Sequence, residues 1–573
     1  MASAAPLEHA WTGRAQWRLL ETGWRHGQGF LAAWQAWRDD PQRPGLLHVA
    51  CALPCPPRAE AMVAQAPGPL RALAAELAAH WWGLLPGLHR LSLEGGRVLL
   101  TLHVGPAGDA LRELAFAADA IALDEAVGHD RALLKALARL SRPGTTLAAA
   151  RADDTLRADL RTCGFRIDTD APGALRATYA PGWTPKTRHA SPPAPSEALV
   201  VGAGLAGAAA AASLARRGWR VTVLDAAPAP ASGASGLPAG LMAPHLTPDD
   251  NLLSRLARSG IRLTQAQARA RLREGTDWQG GGTLEHRLKA KAAERHGLAA
   301  EGFAADWSRP ASPDQRAAAG LPPDAPAVWH PPGGWIKPAA LVRAWLDDPA
   351  ITWRGGARVE RLERRDGLWH ALDAAGRTLH AAPLAVVAAA LGSAALAGDR
   401  LWLHPVRGQV SLGPREGLDA LPAFPLNGNG HLLPDVPLET VPGGRAWMSG
   451  ATYGRGETDT RERPADHAAN LARLETLVPG TAAALAPAFA RGEVSGWCGV
   501  RCASTDRRPL VGPLEDGLWV STAMGSRGLT FAALCGELLA ARLHGEPLPL
   551  AASLAGALDA GRQMRRTPLS GPA

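Results

Sequence analysis

The chain has 573 residues, 46% of them hydrophobic, with a formal net charge of +8. This length exceeds one hydrophobic core and predicts two or more domains, while no apolar run reaches the ~18 residues needed to cross a bilayer. Six scattered cysteines exclude a disulfide framework and predict a cytoplasmic protein; Cys51/Cys55 and Cys498/Cys502 lack CxxC spacing, so no metal is expected.

Residues 1–18 carry two tryptophans and scattered charges, so no secretory signal is expected. The first clear strand is Leu46–Ala52, followed by a helix over Pro69–His80 and strands at Val98–Val104 and Ala120–Asp124. A helix over Asp130–Leu140 and a strand from Thr145 complete a βα alternation that predicts a mostly parallel sheet. Asp124 closes a buried apolar strand, where open α/β sheets place their ligands. Trp34 and Trp37, at helical spacing, are expected in the core, and Gly280–Gly282 in a loop.

The proline-rich stretch from Pro181 to Pro195 reads as a semi-rigid linker. The expected domains are residues 1–180, a linker at 181–197, and residues 198–573. The second domain opens on Val200-Val201-Gly202-Ala203-Gly204-Leu205-Ala206-Gly207 and closes its first βαβ unit on Val221–Asp225. Gly202 permits the turn, Gly204 admits a pyrophosphate, Gly207 lets the helix pack on the strand, and Asp225 can accept from ribose hydroxyls. The helix N-terminus supplies free N–H groups and a positive dipole end. βα character returns at Leu384–Gly392, and Gly525-Ser526-Arg527-Gly528 leads into an apolar helix over Leu529–Leu543. A nucleotide fold interrupted by a long β-rich insertion fits a flavoprotein better than a nicotinamide dehydrogenase.

Basic and acidic residues nearly balance over 1–180, so the positive excess lies later, with Arg507, Arg508, Arg562, Arg565 and Arg566 among it. This permits an anionic partner such as RNA, although arginine-, alanine- and proline-rich composition also accounts for it. His245, His404 and His431 lack metal spacing and read as structural or surface residues.

Several segments carry a resemblance: Ala231–Gly236, Asp250–Arg255, Gly334–Pro338, Pro405-Val406-Arg407-Gly408-Gln409 and Gly450-Ala451-Thr452-Tyr453. The most specific are Gly499–Pro513 and Gly525–Leu529. Together they resemble the bifunctional tRNA 5-methylaminomethyl-2-thiouridine biosynthesis proteins. The resemblance implies an α/β protein with two parts. A Rossmann-like methyltransferase fold is joined to an FAD-binding α/β domain, of the glycine/sarcosine oxidase type, with a β-rich substrate domain inserted. It implies FAD at Gly202, Gly204, Gly207, Asp225, Ser235, Gly236, Val359, Gly392, Gly525, Arg527 and Gly528. The implied substrate is tRNA carrying a carboxymethylaminomethyl group on its wobble uridine, chemically an N-substituted glycine. Oxidation of its glycine-like carbon, then hydrolysis, would leave an aminomethyl uridine and glyoxylate. Arg501 and Asp506 are the expected catalytic residues. Arg501 suits a bidentate carboxylate clamp, and Asp506 orients its loop. No side-chain base is obligatory once the amine is neutral. A monomer is expected, with no membrane partner.

The first domain of the family uses S-adenosylmethionine to methylate the aminomethyl product, which would place Glu21, Gly23, Gly27 and Asp124 at that cofactor. Here the loop Glu21-Thr22-Gly23-Trp24-Arg25-His26-Gly27-Gln28-Gly29-Phe30 departs from the family pattern. Arg25 replaces a glycine, Leu53 and Pro106 fall where acids are expected, and Glu125–Asp130 replaces a conserved-type loop. These departures predict a degenerate cofactor loop on a retained fold, kept for tRNA docking or domain stability. The alternative reading is an oxidase of free glycine-like amino acids with a non-catalytic first domain; a non-enzymatic tRNA-binding module is a third.

Overall fold

The computed structural model describes residues 10–124, 130–171, 174–187, 189, 191–288, 301–398, 400–419 and 421–563. The expected Glu125–His129 departure and the basic Arg565 and Arg566 lie outside the described residues. The chain forms two compact units, residues 1–194 with 540–556, and residues 195–539 with 557–573.

The first unit is built on an eight-stranded sheet. Its centre is parallel, in the order Val98–Val104, Leu46–Leu53, Gln16–Glu21, Ala118–Leu123, Ser141–Ala149. Antiparallel strands finish both edges: Gly87–Leu93 on one side, Ala174–Tyr179 and Phe165–Ala171 on the other. Leu46–Leu53 is buried along its whole length, as a strand covered on both faces must be. The expected helix at 130–140 runs Arg131–Arg139, and Asp130 caps it by accepting from the Ala132 N–H at 2.7 Å. Trp34 and Trp37 are fully buried on the helix Gln28–Asp39. Residues 540–556 belong to this unit although they follow the flavin-type segment in sequence. Buried Arg18 and Arg90 anchor them, donating to the carbonyls of His544 and Pro547.

The second unit contains a six-stranded sheet ordered Ile351–Arg354, Arg220–Leu224, Glu197–Val201, Leu384–Val387, Leu518–Thr522, Leu510–Glu515. All its pairings are parallel except the last. The helix Leu205–Ala215 is nearly all alanine and leucine, and Leu205 through Leu214 are all buried. Gly207 makes that burial possible, because a Cβ there would collide with the Gly202 carbonyl. A nine-stranded, largely antiparallel sheet forms the inserted β-rich region. Its longest pairing joins Leu403–Pro414 to Ser495–Ser504, in a register from Leu403 opposite Ser504 to Leu412 opposite Ser495. This is the expected α/β class with a β-rich insertion. Among the described residues, no helix is long and apolar enough to cross a membrane.

Candidate active site

A cavity of about 960 Å3 lies within the second unit. One part of its wall is the first βαβ turn, with Gly202, Gly204 and Asp225; Ser235, Val359 and Gly392 line it as well. Another part is formed by Gly525, Arg527 and Gly528, with Arg501 beside them. Gly207 and Gly236 are not on the wall. The first packs the helix, and a Cβ on the second would stand 2.8 Å from the Ala231 carbonyl.

The turn is set for an anionic ligand. Gly204 precedes the helix with no side-chain cap of its own, and the Ser235 hydroxyl accepts from the Leu205 N–H at 3.0 Å. Asp225 stands at the end of Arg220–Leu224. Its carboxylate accepts from the N–H of Ala203 at 2.6 Å and of Ala227 at 2.8 Å, which holds the glycine turn. Each oxygen keeps a further lone pair for a ribose hydroxyl. The glycine turn, the helix start behind it and the closing acid together fit FAD.

At the other part of the cavity, Arg501 projects from Ser495–Ser504. Its Nη1 has only long contacts with the carbonyls of Arg407 and Thr452, at 3.5 and 3.4 Å. Its Cζ lies 4.8 Å from the centroid of the Tyr453 ring. Among the described residues no carboxylate pairs with Arg501 or Arg527. Burial pulls both guanidinium groups down from their ordinary range. Two uncompensated cations in one cavity make it a receptor for an anion.

Four residues on this wall were not expected from the sequence: His245, His431, Tyr453 and Trp497. His245 and His431, expected as structural or surface residues, both line the cavity. Burial, and then the nearby Arg501 charge, push His431 down to about 4, so it is neutral at pH 7. Its Nε2 is buried without a hydrogen-bond partner. Its place follows from pairing between Gly430–Pro437 and Arg445–Gly450, which sets His431 opposite Gly450. Tyr453 belonged to a family-like segment, but no spacing signal marked its side chain.

Asp506 is off the cavity wall. Its carboxylate is held by Arg508 at 2.6 Å and Arg562 at 2.9 Å, and accepts from the Ser504 hydroxyl at 2.9 Å. These partners, against the opposing effect of burial, keep it well below the usual carboxylate range. It is a loop anchor, so its expected place among the catalytic residues gives way to the orienting role.

In the first unit, Glu21, Cys51 and Asp124 gather at the carboxyl ends of Gln16–Glu21, Leu46–Leu53 and Ala118–Leu123. The loop between keeps a tight turn, with φ of +36° at Arg25, +57° at His26 and +75° at Gly27. A Cβ on Gly27 would meet the Trp24 ring at 2.8 Å. Trp24 in turn stacks on Trp81 with centroids 5.1 Å apart. Arg25 Nε donates to Asp124 Oδ2 at 2.5 Å, and the Asp124 side chain lies 2.7 Å from where a Cβ on Gly23 would be. Burial pushes the Glu21 carboxyl up to about 8. In this arrangement Arg25 pairs with Asp124, one of the residues expected at S-adenosylmethionine. Among the described residues there is no group of three or more His, Cys, Asp or Glu side chains able to hold a metal.

Comparison with known proteins joins these two halves. Residues 197–542 match the FAD dependent oxidoreductase family, and residues 68–178 match an S-adenosyl-L-methionine-dependent methyltransferase family. The tRNA 5-methylaminomethyl-2-thiouridine biosynthesis bifunctional protein MnmC of Polaromonas naphthalenivorans (strain CJ2) is 48% identical, over 96% of this chain and 91% of its own length. The chain belongs to the MnmC family. The MnmC protein of Acidovorax sp. (strain JS42) is 47% identical, over 98% of this chain and 93% of the relative. Glycine oxidase from Geobacillus kaustophilus shares the fold, with a TM-score of 0.52 at 21% identity, covering 65% of this chain and 98% of that one. This member of the MnmC family is therefore an enzyme with an FAD-dependent oxidoreductase domain and a methyltransferase-family domain.

Proposed function

We propose that the second unit oxidatively removes the carboxymethyl group from 5-carboxymethylaminomethyl-(2-thio)uridine in tRNA, leaving 5-aminomethyl-(2-thio)uridine and glyoxylate. The observation that carries this reading is Arg501, a cavity guanidinium with no carboxylate of its own. Bound FAD supplies a two-electron acceptor for hydride. Arg501 takes the substrate carboxylate through paired N–H donors and thereby fixes the adjacent C–H bond in direction. Arg527, also uncompensated, makes an ammonium in the same space costly and so favours the neutral amine. His431, held neutral, contributes to the cavity wall without adding charge. Gly202, Gly204 and Ser235 are assigned to the FAD phosphates, Asp225 to its ribose, and Val359, Gly392, Gly525 and Gly528 to its remaining surface.

The reaction is assigned to a cytoplasmic monomer. All six cysteines are free thiols, which suits a reducing compartment. The first unit is assigned a supporting role, because the Arg25–Asp124 pair occupies the loop that methyl transfer would need. Anaerobic mixing of the holoenzyme with tRNA carrying the carboxymethylaminomethyl group tests the oxidation. The expected result is flavin bleaching with one glyoxylate per modified uridine; an unbleached flavin with intact substrate contradicts it.

A further inference from the structure

Four large hydrophobic side chains stand exposed among the described residues: Trp183, Leu288, Trp402 and Tyr453. Tyr453 alone of these lines the cavity. It directly follows Thr452, which is buried, yet is itself 59% exposed. Arg501 lies over its ring, with Cζ 4.8 Å from the centroid. An aromatic ring held by a guanidinium and otherwise open to solvent offers a flat apolar surface at the point where an anion would be clamped.

The substrate arm fixes what can lie there. Four bonds separate the carboxylate carbon of a carboxymethylaminomethyl group from the pyrimidine C5, so the base edge falls within about 5 Å of the clamped carboxylate. The Tyr453 ring centroid lies 4.8 Å from Arg501 Cζ, the group that would hold that carboxylate. We propose that Tyr453 is a stacking platform for the pyrimidine that carries the glycine-like arm, and that it sets the preference of this site for a nucleoside-borne amine over a free one. This rests on the assignment of Arg501 to the substrate carboxylate and of tRNA as the substrate. A free amino acid has no base to reach the ring, so Tyr453 contributes nothing to its binding.

The test compares holoenzymes of the wild type, Tyr453→Ala and Tyr453→Phe on two readouts. The first is kcat/KM for oxidation of carboxymethylaminomethyl-tRNA. The second is the affinity for glycolate, a small carboxylate without a base, read from the flavin absorbance. Tyr453→Ala is expected to lose roughly 10- to 100-fold on tRNA, the range of one base stack, while Tyr453→Phe stays near wild type. Glycolate affinity is expected to be within twofold in all three. Unchanged tRNA oxidation in Tyr453→Ala overturns the proposal. So does a parallel loss of glycolate affinity, which would mean that the ring acts only by holding Arg501. A wild-type enzyme that binds glycolate but leaves the tRNA nucleoside unconverted refutes the tRNA reading itself and the platform with it. A wild-type flavin that does not respond to glycolate removes the clamp, and the proposal falls on that ground.

Discussion

The guanidinium of Arg501 fills the space that a side chain at residue 408 would occupy: a Cβ built on Gly408 runs into both its Nη atoms and its Cζ. Gly408 pairs with Gly499 across Leu403–Pro414 and Ser495–Ser504, two residues along the strand from Arg501. The missing Cβ is thus what lets the cation lie close against the sheet, beside the Arg407 and Thr452 carbonyls.

Gly408→Ala is therefore expected to displace Arg501 while leaving the fold intact, because the clash is with the far end of a flexible side chain. Misplacing a positioning group by about 1 Å can reduce turnover on the order of 100-fold. Steady-state kinetics on tRNA should show such a loss, with flavin content and Tm near wild type. Loss of flavin would instead mean that Gly408 supports the FAD end of the cavity.

Arg501→Met and Arg501→Lys separate charge from geometry. Arg501 has no carboxylate to leave orphaned, so Arg501→Met should melt at or above the wild-type temperature. Its kcat/KM on tRNA should fall roughly 10- to 100-fold, the value of hydrogen bonds to a charged group. Arg501→Lys keeps the charge but not the paired donors, and should recover only part of that loss.

Glu21 gives a pH signature in the first unit. Its carboxyl is raised from 4.5 to about 8 by burial. Between these values the unfolded chain releases a proton that the folded chain retains, so stability falls as pH rises through the window. Glu21→Gln, neutral in both states, should exceed wild type by no more than about 1 kcal/mol near pH 5 and by about 2–4 kcal/mol near pH 8. Denaturant unfolding of the full chain at the two pH values measures it, and a pH-independent difference contradicts the burial of a protonated acid.

The Arg25–Asp124 pair is exposed on its arginine side and weak by itself, worth about 0–1 kcal/mol. Its effect is on charge and access rather than on stability. Adding S-adenosylmethionine should therefore leave the Tm of the full chain unchanged. A saturable upward shift would show that Arg25 swings clear and that the loop still takes its cofactor.

What was legible in the sequence was whatever short-range spacing encodes. Gly202, Gly204 and Asp225 form a local pattern, and the turn they predict is the one that walls the cavity. Arg501 was legible through its surrounding segment. The strand Gln16–Glu21 was not, because its buried Arg18 and Glu21 break the apolar pattern, and Arg18 donates to the His544 carbonyl, 526 residues away. His431 and Tyr453 reach the cavity through strand pairing and the end of a strand, relations no linear spacing records. Asp506 sat in the most specific segment, yet its arginine partners turn it to holding a loop.

Nucleoside mass spectrometry of carboxymethylaminomethyl-tRNA after incubation with the holoenzyme, with and without S-adenosylmethionine, tests the two-unit assignment most directly. The expected product is aminomethyl uridine under both conditions, with glyoxylate released. Unconverted carboxymethylaminomethyl uridine would contradict the oxidase site around Arg501, and efficient appearance of methylaminomethyl uridine would contradict the closed loop at Arg25.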